Sequence, residues 1–158
     1  MKMTLSVLVE NKPGVLTRIA GLFARRGFNI DSLAVGQTED PALSRMTIVV
    51  NAAEHPMEQV EKQLHKLINV IKISHLDPEA SVGRELMLIK VTVPPAKRVE
   101  IFDLVNTFRG NVIDVSRNAL VAEVTGDSSK LKAFQELMAP YGIVEICRTG
   151  KAAMARGK

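Results

Sequence analysis

The sequence predicts an α+β chain built from two tandem β-α-β-β-α-β units, each an antiparallel sheet with both helices on one face. Three observations lead there. Apolar residues alternate at period two in short runs and recur at helical spacing in longer ones. Gly, Pro and Asp sit at the boundaries between runs. The order of runs in the first half returns in the second.

"MTLSVLVE" places Met3, Leu5, Val7 and Val9 on one face of a first strand. The N-terminus reads as that strand and not as a signal or transit peptide, since Glu10 interrupts any apolar core. After the Pro13-Gly14 turn, Val15, Ile19, Leu22 and Phe23 mark one side of a helix. Gly27 is placed to stop that helix, just beyond Arg25 and Arg26. "FNIDSLAVGQT" is a second strand, with Ile30 and Leu33 less regularly spaced, and "TEDPALS" is a turn-rich link. "RMTIVVN" is a third strand with Met46, Ile48 and Val50 on one face. A second helix is expected from Pro56 to Ile68, carrying Val60, Leu64, Leu67 and Ile68, and "VIKISHL" closes the unit as a fourth strand.

The second half repeats the series. "ELMLIKVTV" alternates Met87, Ile89, Val91 and Val93, and the following helix carries Ile101, Leu104, Val105 and Phe108 up to Gly110. "NVIDVSRN" and "ALVAEVTG" are strands meeting near Asn118. Asp127 is a plausible cap for a helix using Leu131, Phe134, Leu137 and Met138, before a closing strand "IVEICR". The expected organisation is a first domain at 1–76, a linker at 77–84, a second ferredoxin-like domain at 85–150 and a flexible basic tail at 151–158. Units of about 70 residues lie near the lower limit for a self-sufficient core. Open sheet faces and edge strands are liabilities when left bare, so an oligomer is expected.

Hydrophobic residues make up 46% of the 158 and charged residues 24%, a balance typical of globular proteins. The apolar runs are far short of the roughly 20 residues of a membrane helix. The single Cys147 cannot form an intramolecular disulfide, and a reducing cytoplasm is the default. Cys147 falls in an apolar strand and is expected to be a buried structural thiol. The net charge of +4 rests partly on the tail "KAAMARGK", which weakens any argument for nucleic acid.

Catalytic chemistry is hard to find. His55, His65 and His75 lie ten residues apart, whereas two metal ligands on one helix face need a spacing of three or four. No nucleophile elbow, phosphate loop or dinucleotide fingerprint occurs. RNA-recognition modules share this strand and helix order but stack bases on aromatic residues of the central strands. "TLSVLVE" and "RMTIVVN" have none, and the chain has one Tyr and no Trp.

What remains is the junction "VENKPGVLTRIAGLF". Pro13 and Gly14 suit the central positions of a type II turn. The N–H groups of Gly14, Val15 and Leu16 then open a helix and favour an anion such as a carboxylate. Asn11 offers an acceptor for an ammonium group, while Val15, Leu16 and Ile30 offer apolar surface. That set suits a zwitterionic amino acid with an apolar side chain. The plainer reading is a turn whose Asn caps the helix and whose donors meet water. The equivalent stretch of the second half, "VTVPPAKRVEIF", has neither the Asn nor the Gly, so only the first half carries the candidate site.

"LSVLVENKPGVLTRIAGLFARRGFNIDSLAVGQTEDPALSRMTIVV" and "EKQLHKLINVIKI" closely resemble the N-terminal ACT domain of acetolactate synthase (acetohydroxyacid synthase) small subunits. "RELMLIKV", "FRGNVIDVS" and "EICRTGKAAMARG" resemble the family's C-terminal domain. The resemblance implies a regulatory, non-catalytic subunit of branched-chain amino acid biosynthesis. Such a subunit activates a large catalytic subunit, in which thiamine diphosphate, Mg and FAD are expected, and confers feedback inhibition by valine. It further implies a homodimer through the ACT domains, with the effector at their interface. Asn11, Pro13, Gly14, Val15 and Leu16 would come from one subunit, and Asn29 and Ile30 from the other. No metal or cofactor is expected in this chain. Two alternatives stay open. One is a stand-alone amino-acid-sensing ACT protein, which would need a different partner or a DNA-binding module. The other is an acyl-phosphate hydrolase, for which Arg18 and Asn11 are poor substitutes for the required Arg and Asn.

Overall fold

The computed structural model describes residues 2–51 and 56–157. Their elements are β1 (Lys2–Glu10), α1 (Val15–Arg25), β2 (Ile30–Gln37), β3 (Leu43–Asn51), α2 (Met57–His65) and β4 (Val70–Leu76). There follow β5 (Ser81–Thr92), α3 (Arg98–Thr107), β6 (Asn111–Val115), β7 (Ala119–Gly126), α4 (Ser128–Met138), β8 (Ile143–Arg148) and β9 (Ala152–Ala155). The chain forms two compact units. The first runs through Val82 and resumes at Lys151; the second is Gly83–Gly150.

The first sheet has strand order β2-β3-β1-β4, and β6-β7-β5-β8 repeats that order in the second unit. All the pairings along these two paths are antiparallel. Alternation explains the first core. Leu5, Val7 and Val9 of β1 and Met46, Ile48 and Val50 of β3 point to one face. They meet Val15, Ile19, Leu22 and Phe23 of α1 and Val60 and Leu64 of α2 in one cluster. In the second unit Met87, Ile89, Val91, Leu120, Ala122 and Val124 meet Ile101, Val105, Leu131, Phe134 and Met138.

The duplication extends to helix ends. After α1 the Gly27 N–H bonds the Ala24 carbonyl and the Phe28 N–H bonds the Phe23 carbonyl, with Gly27 at φ 73°. The rings of Phe23 and Phe28 meet edge to face at 5.7 Å, the apolar contact that accompanies such a cap. After α3 the same pair of bonds runs from Arg109 to Asn106 and from Gly110 to Val105, but the left-handed residue is Arg109, at φ 56°. Gly110 serves another purpose. A Cβ there would lie 2.6 Å from the Glu123 carbonyl oxygen and 2.7 Å from Val124 Cγ2. Gly110→Ala is therefore expected to lose about 1–3 kcal/mol of stability. Chemical denaturation checks this, and an unchanged midpoint would show that the β6–β7 pair gives way freely.

Several expectations are corrected. The second helix ends at His65 instead of Ile68, because Lys66 and Leu67 donate to carbonyls three residues back and the chain winds out of the helix. Ile68 is left 88% exposed. Leu137 also faces outward. Cys147 is exposed, not buried: Ile146 lies opposite Ile89 on the core face, so its neighbour Cys147 lies opposite Leu88 on the other. The expected linker at 77–84 is ordered. Asp77 caps a 3₁₀ turn at Pro78–Ala80 by accepting from the Glu79 N–H, and β5 begins at Ser81.

The segment from Lys151, expected as a flexible tail, is the last strand of the first unit. β9 pairs with β5, whose residues Ser81 and Val82 belong to this unit. The Arg156 N–H donates to the Ala80 carbonyl at 2.8 Å. The Lys151 N–H reaches Ser32 Oγ at 2.8 Å, and the Ala153 N–H reaches Thr47 Oγ1 at 3.4 Å. Ser32 and Thr47 lie on the sheet face opposite the helices, so this face is partly covered by the chain itself. On this face Ser6, Thr47 and Val49 are buried.

Candidate functional site

The junction between β1 and α1 forms the expected turn. The Val15 N–H bonds the Lys12 carbonyl at 3.4 Å, and Gly14 sits at φ 87°, ψ −10°, the values its place in a type II turn requires. The helical ladder starts with the Arg18 N–H on the Gly14 carbonyl, at 3.0 Å. The Leu16 and Thr17 N–H groups therefore precede the ladder and point out of the first turn. The Val15 donor, expected to be free, is spent on closing the turn.

Asn11 does not cap the helix. Its backbone N–H donates to the Ala42 carbonyl at 2.8 Å and its side-chain amide to the Pro41 carbonyl at 2.9 Å. Both bonds tie the junction to the β2–β3 connection, and they leave Oδ1 as the side chain's acceptor. Val15 is buried in the core, whereas Leu16 is 45% exposed beside the turn. A Cβ on Gly14 would meet nothing within 4 Å. The turn is open on that side.

Three residues that sequence reasoning did not place in the site surround this turn. Glu10 binds the Lys12 ammonium at 2.7 Å. Asn69, only 7% exposed, donates its amide to the other Glu10 oxygen at 3.3 Å. The Arg18 guanidinium donates to Asn69 Oδ1. The hydrogen bond from Lys12 is the main cause that holds the Glu10 carboxyl below its ordinary range, with the Lys12 charge and Asn69 acting the same way against desolvation.

Asn29 and Ile30 lie elsewhere. Asn29 is exposed, its amide donating to Asp31 at 2.9 Å, and Ile30 is half-buried against the core. Ile30 pairs with Val50, at the far end of β3 from Leu43, which pairs with Glu10. Seven strand steps separate the two ends, about 24 Å. One chain thus brings Asn11, Pro13, Gly14, Val15 and Leu16 together and holds Asn29 and Ile30 apart from them.

His65 and His75 are exposed, and His55 lies outside the described residues. Among the described residues no group of three or more His, Cys, Asp or Glu side chains could hold a metal ion. No helix among them is long and apolar enough to cross a membrane.

The family model described as "AHAS small subunit-like ACT domain" matches residues 5–72, and "Small subunit of acetolactate synthase" matches residues 84–157. A probable acetolactate synthase small subunit of Archaeoglobus fulgidus is 60% identical over 157 residues, covering 99% of this chain and 98% of that protein. The acetolactate synthase small subunit of Mycobacterium bovis is 57% identical over 154 residues, covering 98% and 92%. The crystal structure of the small subunit from Thermotoga maritima superposes with a TM-score of 0.92 at 48% identity, covering 100% of this chain and 99% of that one. The tandem fold, the junction and these similarities lead to one conclusion: this chain belongs to the family of acetolactate synthase small subunits, the regulatory partners in that enzyme and not its catalytic chain.

Proposed function

We propose that two copies of this chain pair along β2 and bind valine at two shared sites, through which they inhibit a large catalytic subunit that they otherwise activate. One observation carries the reading: the two halves of the candidate site stand at opposite ends of one sheet whose edge strand is β2. Antiparallel pairing of β2 with its copy about Leu33 and Ala34 would set Ile30 of one chain opposite Gln37 of the other. Gln37 pairs with Ser44, next to the Leu43 that pairs with Glu10, so the distant half arrives at the junction end. Val35, 47% exposed on that edge, is apolar surface such pairing would cover.

The effector carboxylate then meets the first-turn N–H groups of Leu16 and Thr17 at the positive end of α1. Its ammonium meets Asn11 Oδ1, and its side chain lies against Leu16 and the partner's Ile30. Valine shifts the enzyme only by binding the inhibited arrangement more tightly, by about 1–3 kcal/mol in typical cases. Rejecting alanine is worth a similar amount in such a pocket, about 1–3 kcal/mol. Thiamine diphosphate, Mg and FAD belong, on this reading, to the large subunit. The second unit supports full effector sensitivity.

Subunit complementation tests the shared site. Gly14→Asp and Asn29→His chains, each reconstituted alone with the large subunit, are expected to resist valine. In a mixed dimer one site carries both changes and the other is intact, so mixing the two variants is expected to restore part of the inhibition. If the mixture stays as resistant as its parents, the site does not span two chains.

A further inference from the structure

Resting on that reading, we infer that Asn69 is the positioning residue of the effector junction, a buried side chain that fixes both ends of the segment the ligand would touch. Its oxygen accepts from Arg18 in the first turns of α1, and its amide donates to Glu10 at the end of β1. Its own carbonyl accepts the Glu10 N–H at 3.0 Å. Residues 11–17 are therefore anchored on both sides through one residue. Asn69 is 7% exposed, so breaking either bond leaves a buried amide group unpaired, and the geometry resists small displacements.

The local fold explains how it gets there. The β1–β4 register shifts between Leu8 and Val9, which pair with Lys72 and Val70 and leave Ile71 as an extra residue. A bulge of this kind re-aims the neighbouring side chains.

The second unit supplies an internal comparison. It has the same bulge, with Lys90 opposite Glu145 and Val91 opposite Ile143. It also has the same backbone bond, from the Thr92 N–H to the Gly142 carbonyl at 2.9 Å. Gly142 thus occupies the place of Asn69, at φ 98° and with no side chain to offer. The strand junction beside it runs Val93-Pro94-Pro95, without the Asn and Gly of the first unit. The fold keeps the bulge and the backbone bond in both units. The side-chain bracket occurs only beside the junction that carries the candidate site, which separates its role from the requirements of the fold.

The test uses full-length chains reconstituted with the large subunit and measures two quantities separately, maximal activation and the valine concentration for half-inhibition. Asn69→Ala is expected to raise the second by about three- to tenfold and to leave the first within about twofold. Arg18→Ala, which cuts only the α1 arm and leaves the buried Asn69 in place, is expected to shift inhibition in the same direction. Arg18→Lys should recover most of the loss. The double variant should be no worse than the worse single one. Val60→Ala, on α2 in the core of the first unit and outside the junction, serves as the destabilised control and should leave half-inhibition unmoved.

Two results would overturn the inference: an unchanged valine response in both Asn69→Ala and Arg18→Ala, or an equal shift in Val60→Ala. Should Asn69→Ala fail to fold, Arg18→Ala with its Lys rescue decides alone. Gly14→Asp is run in parallel. If it abolishes inhibition while the bracket variants do nothing, the bracket is wrong and the effector site stands. If Gly14→Asp is itself inhibited normally, the effector site is the part that fails.

Discussion

Gly14→Asp is expected to raise the valine concentration for half-inhibition by more than about tenfold, the equivalent of about 1.4 kcal/mol, while the variant still activates the large subunit. The argument has three steps. Space is not the obstacle, since a Cβ at Gly14 meets nothing within 4 Å. The backbone at φ 87° costs an L-residue about 1 kcal/mol, although Asp tolerates this region better than most. The new carboxylate then stands at the N-terminus of α1, where it competes for the N–H groups of Leu16 and Thr17 and repels an incoming carboxylate. All of these act at the junction and none reaches either core. Activation and inhibition measured on one reconstituted preparation check the split, and a variant that loses both together would mean that the turn is structural.

Phe134→Ala is expected to have the largest effect on stability. The ring is fully buried and meets Phe108 edge to face at 5.2 Å, in the core between α4 and the second sheet. Truncations of this kind cost about 3–5 kcal/mol, a large part of the roughly 5–15 kcal/mol that holds a domain. The midpoint of the second unit should fall by about 15 °C or more. Because the two cores share no cluster, the loss should stay local. Hydrogen exchange would show β5 and β7 unprotected while β1 and β3 remain protected. Equal loss in both sheets would show instead that the units melt as one.

How much of this was legible depends on whether a feature leaves a periodic trace. The cores do: Leu5, Val7 and Val9, or Ile101 and Val105, are readable because strand and helix periods sort them onto one face. The Asp127 cap was readable for a similar reason, and its side chain accepts from the Lys130 N–H at 2.9 Å. Caps that vary in detail were not. "RRG" and "FRG" look alike, yet the left-handed residue is the glycine in one and Arg109 in the other. Cys147 was misjudged because "IVEICR" is apolar on average while alternating between faces. The Pro-Gly turn, Asn11 and the apolar neighbours of the site could be named from local chemistry. Asn69 could not, because its role depends on a bulge and on partners 51 and 59 residues away. The strand at 152–155 was missed for the same reason. It is held by hydroxyls 119 and 106 residues earlier, and no local pattern records that.

That last strand also sets an order of events at the ribosome. The first unit cannot be finished when its own helices emerge, because the strand that covers its open face is encoded after the 68 residues from 83 to 150. At roughly 5–20 residues per second those 68 residues take roughly 3–14 s to make, and throughout that time Ser32 and Thr47 lack their partners. During that interval the second unit is made while the first is still open, and the nascent chain presents a sheet face that residues 151–155 later cover in part. Synthesis of residues 151–155 therefore completes the N-terminal unit, so a chain that stalls before them would lack a strand in its first half.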